Sequence, residues 1–194
     1  MKVKFLLTSF VLFWAYSVAA FGATGGPTEV IKETNKGLTD INAKGKTDLK
    51  SIVKVLERST DFKEISNSVL DDHCKNISNS ECKELKDVFI DLIKYSTAKK
   101  LSGNNDNTTE YISEDYNGGS GIVKTKVKTG DRTVGIDYVL TLSNGKWNIV
   151  NYIVDDIDTI ANYKKQFKRL FKKNSVDKII ANLRSKVENY KEER

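Results

Sequence analysis

Asp155, Asp156 and Asp158 stand within four residues of one another, and the single histidine, His73, sits beside Cys74. These residues have the types and spacing from which chemistry could be built. Close carboxylates can hold a hard cation, or act as general acid and base. The same acids follow a strand-like run, "WNIVNYIV", and lead into a helical pattern. At a helix N-terminus negative charge is favoured by the macrodipole, so capping accounts for all three aspartates without a metal. Zinc needs three or four ligands, more than His73 and its neighbours supply. "GGSG" at residues 118–121 lacks the lysine and following helix of a phosphate-cradling loop, and reads as a turn. With one histidine and no nucleophile motif, the sequence points to binding, not catalysis.

The elements that position these residues begin after a leader. Lys2 and Lys4 precede an apolar run over residues 5–20, interrupted by Thr8, Ser9 and Ser17, and small residues follow in "SVAAFGATGG". This is the layout of a secretory signal peptide over residues 1–23. The run is shorter than the ~20 apolar residues of a membrane span. Residues 24–194 then suit a single domain. In the oxidising compartment that such a leader implies, Cys74 and Cys82 are expected to pair. The chain carries a net +6, and residues 163–194 hold eleven Lys/Arg against four Asp/Glu. For a secreted chain this excludes nucleic acid as the natural partner. An anionic membrane or an acidic protein surface fits the charge better.

Helical periodicity recurs four times before residue 101. Pro27 opens the first helix, with Val30, Ile31, Thr34, Leu38 and Ile41 on one face. Thr47 or Asp48 caps the second, over Leu49, Ile52, Val53 and Leu56. "STDF" caps the third, with Phe62, Ile65, Val69 and Leu70 inward. Ser80 is expected to cap the fourth, whose stripe runs through Leu85, Val88, Phe89, Leu92, Ile93 and Tyr95. Alternation then predicts four antiparallel strands, ending near Tyr116, Lys128, Leu142 and Val154. Asn144-Gly145 is a two-residue hairpin turn. Two basic amphipathic helices close the chain. The first carries Ile157, Ile160, Tyr163, Phe167, Leu170 and Phe171 on one face, and the second Val176, Ile179, Ile180, Leu183 and Val187. The fold class is α+β: N-terminal helices, a four-stranded antiparallel sheet and C-terminal helices, with an apolar slot between sheet and helices.

"WNIVNYIVDDIDTIANYKKQF", residues 147–167, resembles the MlaC/toluene-tolerance family of periplasmic phospholipid-binding proteins. Asn162, Tyr163, Gln166 and Phe167 match its "NYR-x-QF" motif at the right distance from Trp147, and "IIANL" matches its closing helix. "TDFKEISNSVL", residues 60–70, is similar to the family's "DF" helix, and Pro27 with the first helix also fits. The chain departs from the pattern at Asn151 (a strand aspartate in the family), at Asp156 and Asp158 (a turn glycine and serine), and at Asp71 and Cys74 (a glycine and an aromatic).

The resemblance implies a monomeric periplasmic carrier, with phospholipid as cargo and no cofactor. Its implied partners are an inner-membrane ABC transporter with an MCE-domain subunit and an outer-membrane lipoprotein/porin complex, and its implied role is upkeep of outer-membrane lipid asymmetry. The slot is expected to be lined from the helices by Phe62, Ile65, Val69, Phe89, Leu92 and Ile93. Tyr138, Leu140 and Ile149 line it from the sheet, and Ile160, Tyr163 and Phe167 from the tail helix. The opposite face of that helix presents Lys164, Lys165, Lys168, Arg169, Lys172 and Lys173 for transient docking on a transporter or membrane surface. Two other classes compete: a secreted NTF2-like enzyme or small-ligand domain, and a secreted interaction protein with a closed core.

Overall fold

The structure, a computed structural model, describes residues 25–43, 48–102 and 107–192. The expected signal peptide lies outside the described residues. Four helices come first: α1 (Pro27–Ala43), α2 (Leu49–Leu56), α3 (Phe62–Cys74) and α4 (Asn79–Leu101). A meander follows: β1 (Thr108–Asn117), β2 (Ser120–Thr129), β3 (Arg132–Ser143), β4 (Lys146–Val154) and β5 (Ile157–Asp158). Helices α5 (Thr159–Lys173) and α6 (Val176–Glu192) follow the sheet. Among the described residues no helix is long and apolar enough to cross a membrane.

Side-chain caps set the helix starts. The Asp48 carboxylate accepts from the Ser51 amide at 2.8 Å, and that of Asp61 from the Glu64 amide at 2.8 Å. At α4 the cap is Ser78, not Ser80. Ser78 and Glu81 satisfy each other's backbone amides in a capping box (2.8 and 3.2 Å), a reciprocal pair that Ser80 has no partner to form. The corner between α3 and α4 is clamped by a disulfide, Cys74–Cys82, with Cα atoms 5.2 Å apart.

The strands pair in sequence order, each antiparallel to the next. Tight turns join them where the backbone enters the left-handed region: Gly118-Gly119, Gly130 and Asn144-Gly145. The sheet has five strands where four were expected. Asp155 and Asp156, with φ of 46° and 63°, form the turn of an extra two-residue hairpin arm, β5. This corrects the reading of the acids. Only Asp158 caps α5, accepting from the Ala161 amide at 2.9 Å. Asp155 instead accepts from the Gly135 amide at 2.9 Å and ties the turn to β3.

From Ser120 to Thr125 β2 alternates exposed and buried residues, so one sheet face is covered. Helix α1 starts on that face. Gly121 leaves room for it: a Cβ there would stand 2.8 Å from the Pro27 ring. The core divides into two clusters. The larger is helical, with Ile52, Leu70, Leu85, Phe89, Phe167 and Ile179 at its centre. The smaller joins Ile31 of α1 to Val123, Leu140, Trp147 and Ile149 of the sheet.

Candidate functional site

A domain of this size ordinarily has one contiguous core. Here the line between the two clusters is a seam, and Tyr152 packs against both. The sheet side of the seam is built by register. Tyr138 on β3 lies directly opposite Tyr152 on β4 and Val123 on β2, and Tyr111 on β1 is opposite Thr125 on β2. The Tyr138 and Tyr152 rings meet edge to face at 5.6 Å. Tyr152 reaches this face because the β3–β4 pairing shifts between Val139 and Leu140, which leaves Val150 without a partner. Without that bulge, plain alternation from Trp147 and Ile149 would turn Asn151 inward and Tyr152 out.

Each phenol has a polar neighbour. The Tyr152 hydroxyl is 2.9 Å from that of Thr60. The Asn35 amide donates to the Tyr111 hydroxyl at 3.1 Å and to the Thr109 hydroxyl at 3.3 Å. Beside Tyr138, Thr125 donates its hydroxyl proton to the Ile136 carbonyl at 2.9 Å. Desolvation pushes the Tyr152 phenol up to about 12, against the Thr60 hydrogen bond. Desolvation also raises Tyr138, and its neighbours Tyr152 and Tyr111 add to the effect. Yet Tyr138 and Tyr152 each keep accessible surface.

The residues expected to line a slot fall into two sets. Phe62, Ile65, Val69, Phe89, Ile93 and Phe167 are buried inside the helical cluster, and Leu140 and Ile149 inside the sheet cluster. Leu92, Tyr138, Ile160 and Tyr163 are only partly buried and fringe the two clusters. The aromatic stripe of α5 packs largely on helices. Phe89 of α4 meets Tyr163 at 5.1 Å and Phe167 at 5.0 Å, both edge to face. Phe171 stacks on His73 of α3 at 4.3 Å. Desolvation therefore lowers the His73 pKa, with the charge of Asp72 opposing it. Ile157, assigned to the same stripe, is 61% exposed, because it sits on the β5 arm and not on the helix. Tyr111 and Tyr152 were missed. Only the bulge brings Tyr152 inward, and nothing in the local pattern marks it.

The hollows that open on the surface lie away from the seam residues Tyr111, Tyr138 and Tyr152. One of about 700 Å³ opens between α4 and α6. Its walls carry opposite charges that pair off, Arg184 with Glu84 at 2.7 Å and Lys83 with Asp87 at 2.8 Å, which suits solvent better than an apolar ligand. Among the described residues no group of three or more His, Cys, Asp or Glu is placed to hold a metal. The α5 cations Lys164, Lys165, Lys168, Arg169, Lys172 and Lys173 are all exposed. None forms an ion pair with another described residue, whereas Lys75, Lys83, Lys86, Lys94, Arg184 and Lys191 all do.

Compared with known protein families, the chain matches the family described as "MlaC protein" over residues 28–185. Among solved structures it is similar to the phospholipid-binding protein from Ralstonia solanacearum in complex with a phospholipid. The TM-score is 0.72 at 16% sequence identity, covering 86% of this chain and 99% of that one. At that identity the likeness is one of fold. No curated protein matches the chain.

Proposed function

The chain belongs to the MlaC family, and from that premise we propose that it is a periplasmic phospholipid carrier, not an enzyme. In this reading it shuttles lipid between an outer-membrane complex and an inner-membrane ABC transporter with an MCE-domain subunit, and so maintains outer-membrane lipid asymmetry. The leader over residues 1–23 directs it to the periplasm and is removed there.

The observation that carries the reading is the division of the core at Tyr152. Two clusters that part along a line bordered by Tyr152 offer acyl chains a path between them, beside the backbone bonds by which Ser59 and Asp61 hold Ile149 at 2.7 and 2.9 Å. Such a seam answers a physical need. Burial of each CH₂ is worth about 0.8 kcal/mol, so two long chains resist transfer into water by roughly 20 kcal/mol. A carrier replaces the bilayer for the tails and leaves the charged headgroup in water. The phospholipid bound by the Ralstonia solanacearum protein, which shares the fold, supports the same assignment. The exposed cations of α5 serve in this reading as a transient docking face.

Native mass spectrometry of freshly purified protein, with analysis of organic extracts, tests the proposal. The expected result is about one diacyl phospholipid per chain, with little headgroup preference. Protein that stays empty even after incubation with liposomes would overturn it.

A further inference from the structure

Helices α5 and α6 leave an apolar hollow between them. Helix α6 packs its stripe chiefly along α4, whereas α5 packs on α3 and β4, so the two helices touch each other little. A hollow of about 330 Å³ remains, with Leu170 of α5 and Ile179 and Leu183 of α6 as its apolar walls. Asn182, Ser185 and Lys186, all exposed, form its rim. Ile179 and Leu183 are almost fully buried, so the hollow is a recess and not a flat patch.

The charges around this recess are of one sign. Helix α5 contains no acid, and of its two rows of cations the one nearer Leu170 is Lys165, Arg169 and Lys173. On α6, Lys186 follows Ile179 two turns later on the same side. The acids of that helix, Asp177, Glu188 and Glu192, lie about half a turn away. Glu188 accordingly lines the other hollow, between α6 and α4, and pairs with Lys191 at 3.1 Å. So α6 has matched charges on one side and cations alone on the other. Lys165, Arg169, Lys173 and Lys186 form no ion pair among the described residues. The complement of such a surface is an acidic segment that projects one large apolar side chain. A bilayer surface meets the cations but is too broad to enter the recess. We propose that the α5–α6 hollow seats an acidic segment of a partner protein, with an apolar anchor between Leu170, Ile179 and Leu183 and carboxylates at Lys173 and Lys186. The inference rests on the docking role given to α5 in the carrier reading, and adds the chemistry of the partner.

The test uses full-length mature protein and two synthetic heptapeptides. One has leucine at its centre and Asp or Glu at every other position, and the other differs only in a central serine. Binding is followed by NMR through the methyl signals of Ile179 and Leu183. The leucine peptide should shift both signals and bind about tenfold more tightly than the serine peptide, since only its side chain fills the recess. Lys173→Glu combined with Lys186→Glu, both at exposed positions, should weaken the leucine peptide by about tenfold and leave lipid loading unchanged. Equal binding of the two peptides, or binding that leaves the two methyl signals in place, overturns the proposal by reducing the contact to charge alone. Absence of binding by either peptide overturns it too. Anionic vesicles that shift the two methyl signals where the leucine peptide does not would assign the hollow to a membrane surface and overturn it likewise. None of these outcomes touches the carrier reading, which stands or falls on the lipid found in the purified protein.

Discussion

Asn151 is held at both ends of its side-chain amide. Its Oδ1 accepts from the Tyr152 amide at 2.9 Å and the Ile160 amide at 3.3 Å, and its Nδ2 donates to the Asp158 carboxylate at 3.0 Å. The resemblance places an aspartate at this position and a serine at 158. In the family pattern the strand residue can only accept, and the cap residue can donate. Here the strand residue donates and the cap accepts, so the two departures are complementary halves of one exchange. Asn151→Asp alone would set two carboxylates within about 3 Å, and should cost about 2 kcal/mol at neutral pH. Asp158→Ser added to it should restore most of that loss, because a hydroxyl can both donate to the new strand carboxylate and cap α5. Urea denaturation of the single and double variants checks this. Additive losses would mean the two positions are not coupled.

At the scale of elements, most of the fold was legible wherever a residue type carries a local mechanism. Asp48 and Asp61 cap helices because a carboxylate beside the first turn satisfies free amides. Asn144-Gly145 turns the chain because both residues tolerate positive φ. What escaped was set by single-residue events. The bulge at Val150 rotates Tyr152 into the seam, and two aspartates occupy left-handed conformations that glycine more often fills. Neither event disturbs hydrophobic periodicity, so alternation reads straight through both. That is also why the helix stripes identified buried core rather than the seam: a stripe marks what is apolar, not where two apolar clusters part. The Asp155-Asp156 turn can be tested directly. A non-glycine residue in the left-handed region costs about 1–2 kcal/mol. Asp156 makes no side-chain hydrogen bond or ion pair among the described residues, unlike Asp155, which holds Gly135. Asp156→Gly should raise stability by about 0.5–1 kcal/mol after the larger backbone entropy of the unfolded glycine chain is subtracted. A thermal midpoint equal to or below that of the unmodified protein would show that the turn is not strained.

Across the whole molecule, positive charge is concentrated where it opposes folding. Lys164, Lys168 and Lys172 follow one row of α5, and Lys165, Arg169 and Lys173 the next, so like charges face each other at every i,i+4 step. Each such pair weakens a helix by about 0.2–0.5 kcal/mol, and Lys164 and Lys165 also stand in the first half of the helix, away from the C-terminal end that favours cations. A helix designed only to cover the core would alternate its charges, as Lys83 and Asp87 do on α4 at 2.8 Å. The docking role proposed for this face would make stability and delivery respond in opposite directions to the same change. Replacing Lys168 and Arg169 by Glu turns the four repulsive i,i+4 pairs into attractive ones. Denaturation should therefore show a more stable protein, by about 2 kcal/mol. Transfer of a fluorescent phospholipid from the loaded variant to anionic acceptor vesicles should be slower than from the unmodified protein at low salt. The difference should shrink as ionic strength rises and the ~8 Å screening length of physiological salt is approached. A loss of delivery caused by misfolding would lower both readings together, so the opposed signs isolate the charge. Unchanged transfer at low salt, alongside the gain in stability, would reduce the six cations to a solvated surface and leave the carrier to find its targets by another face.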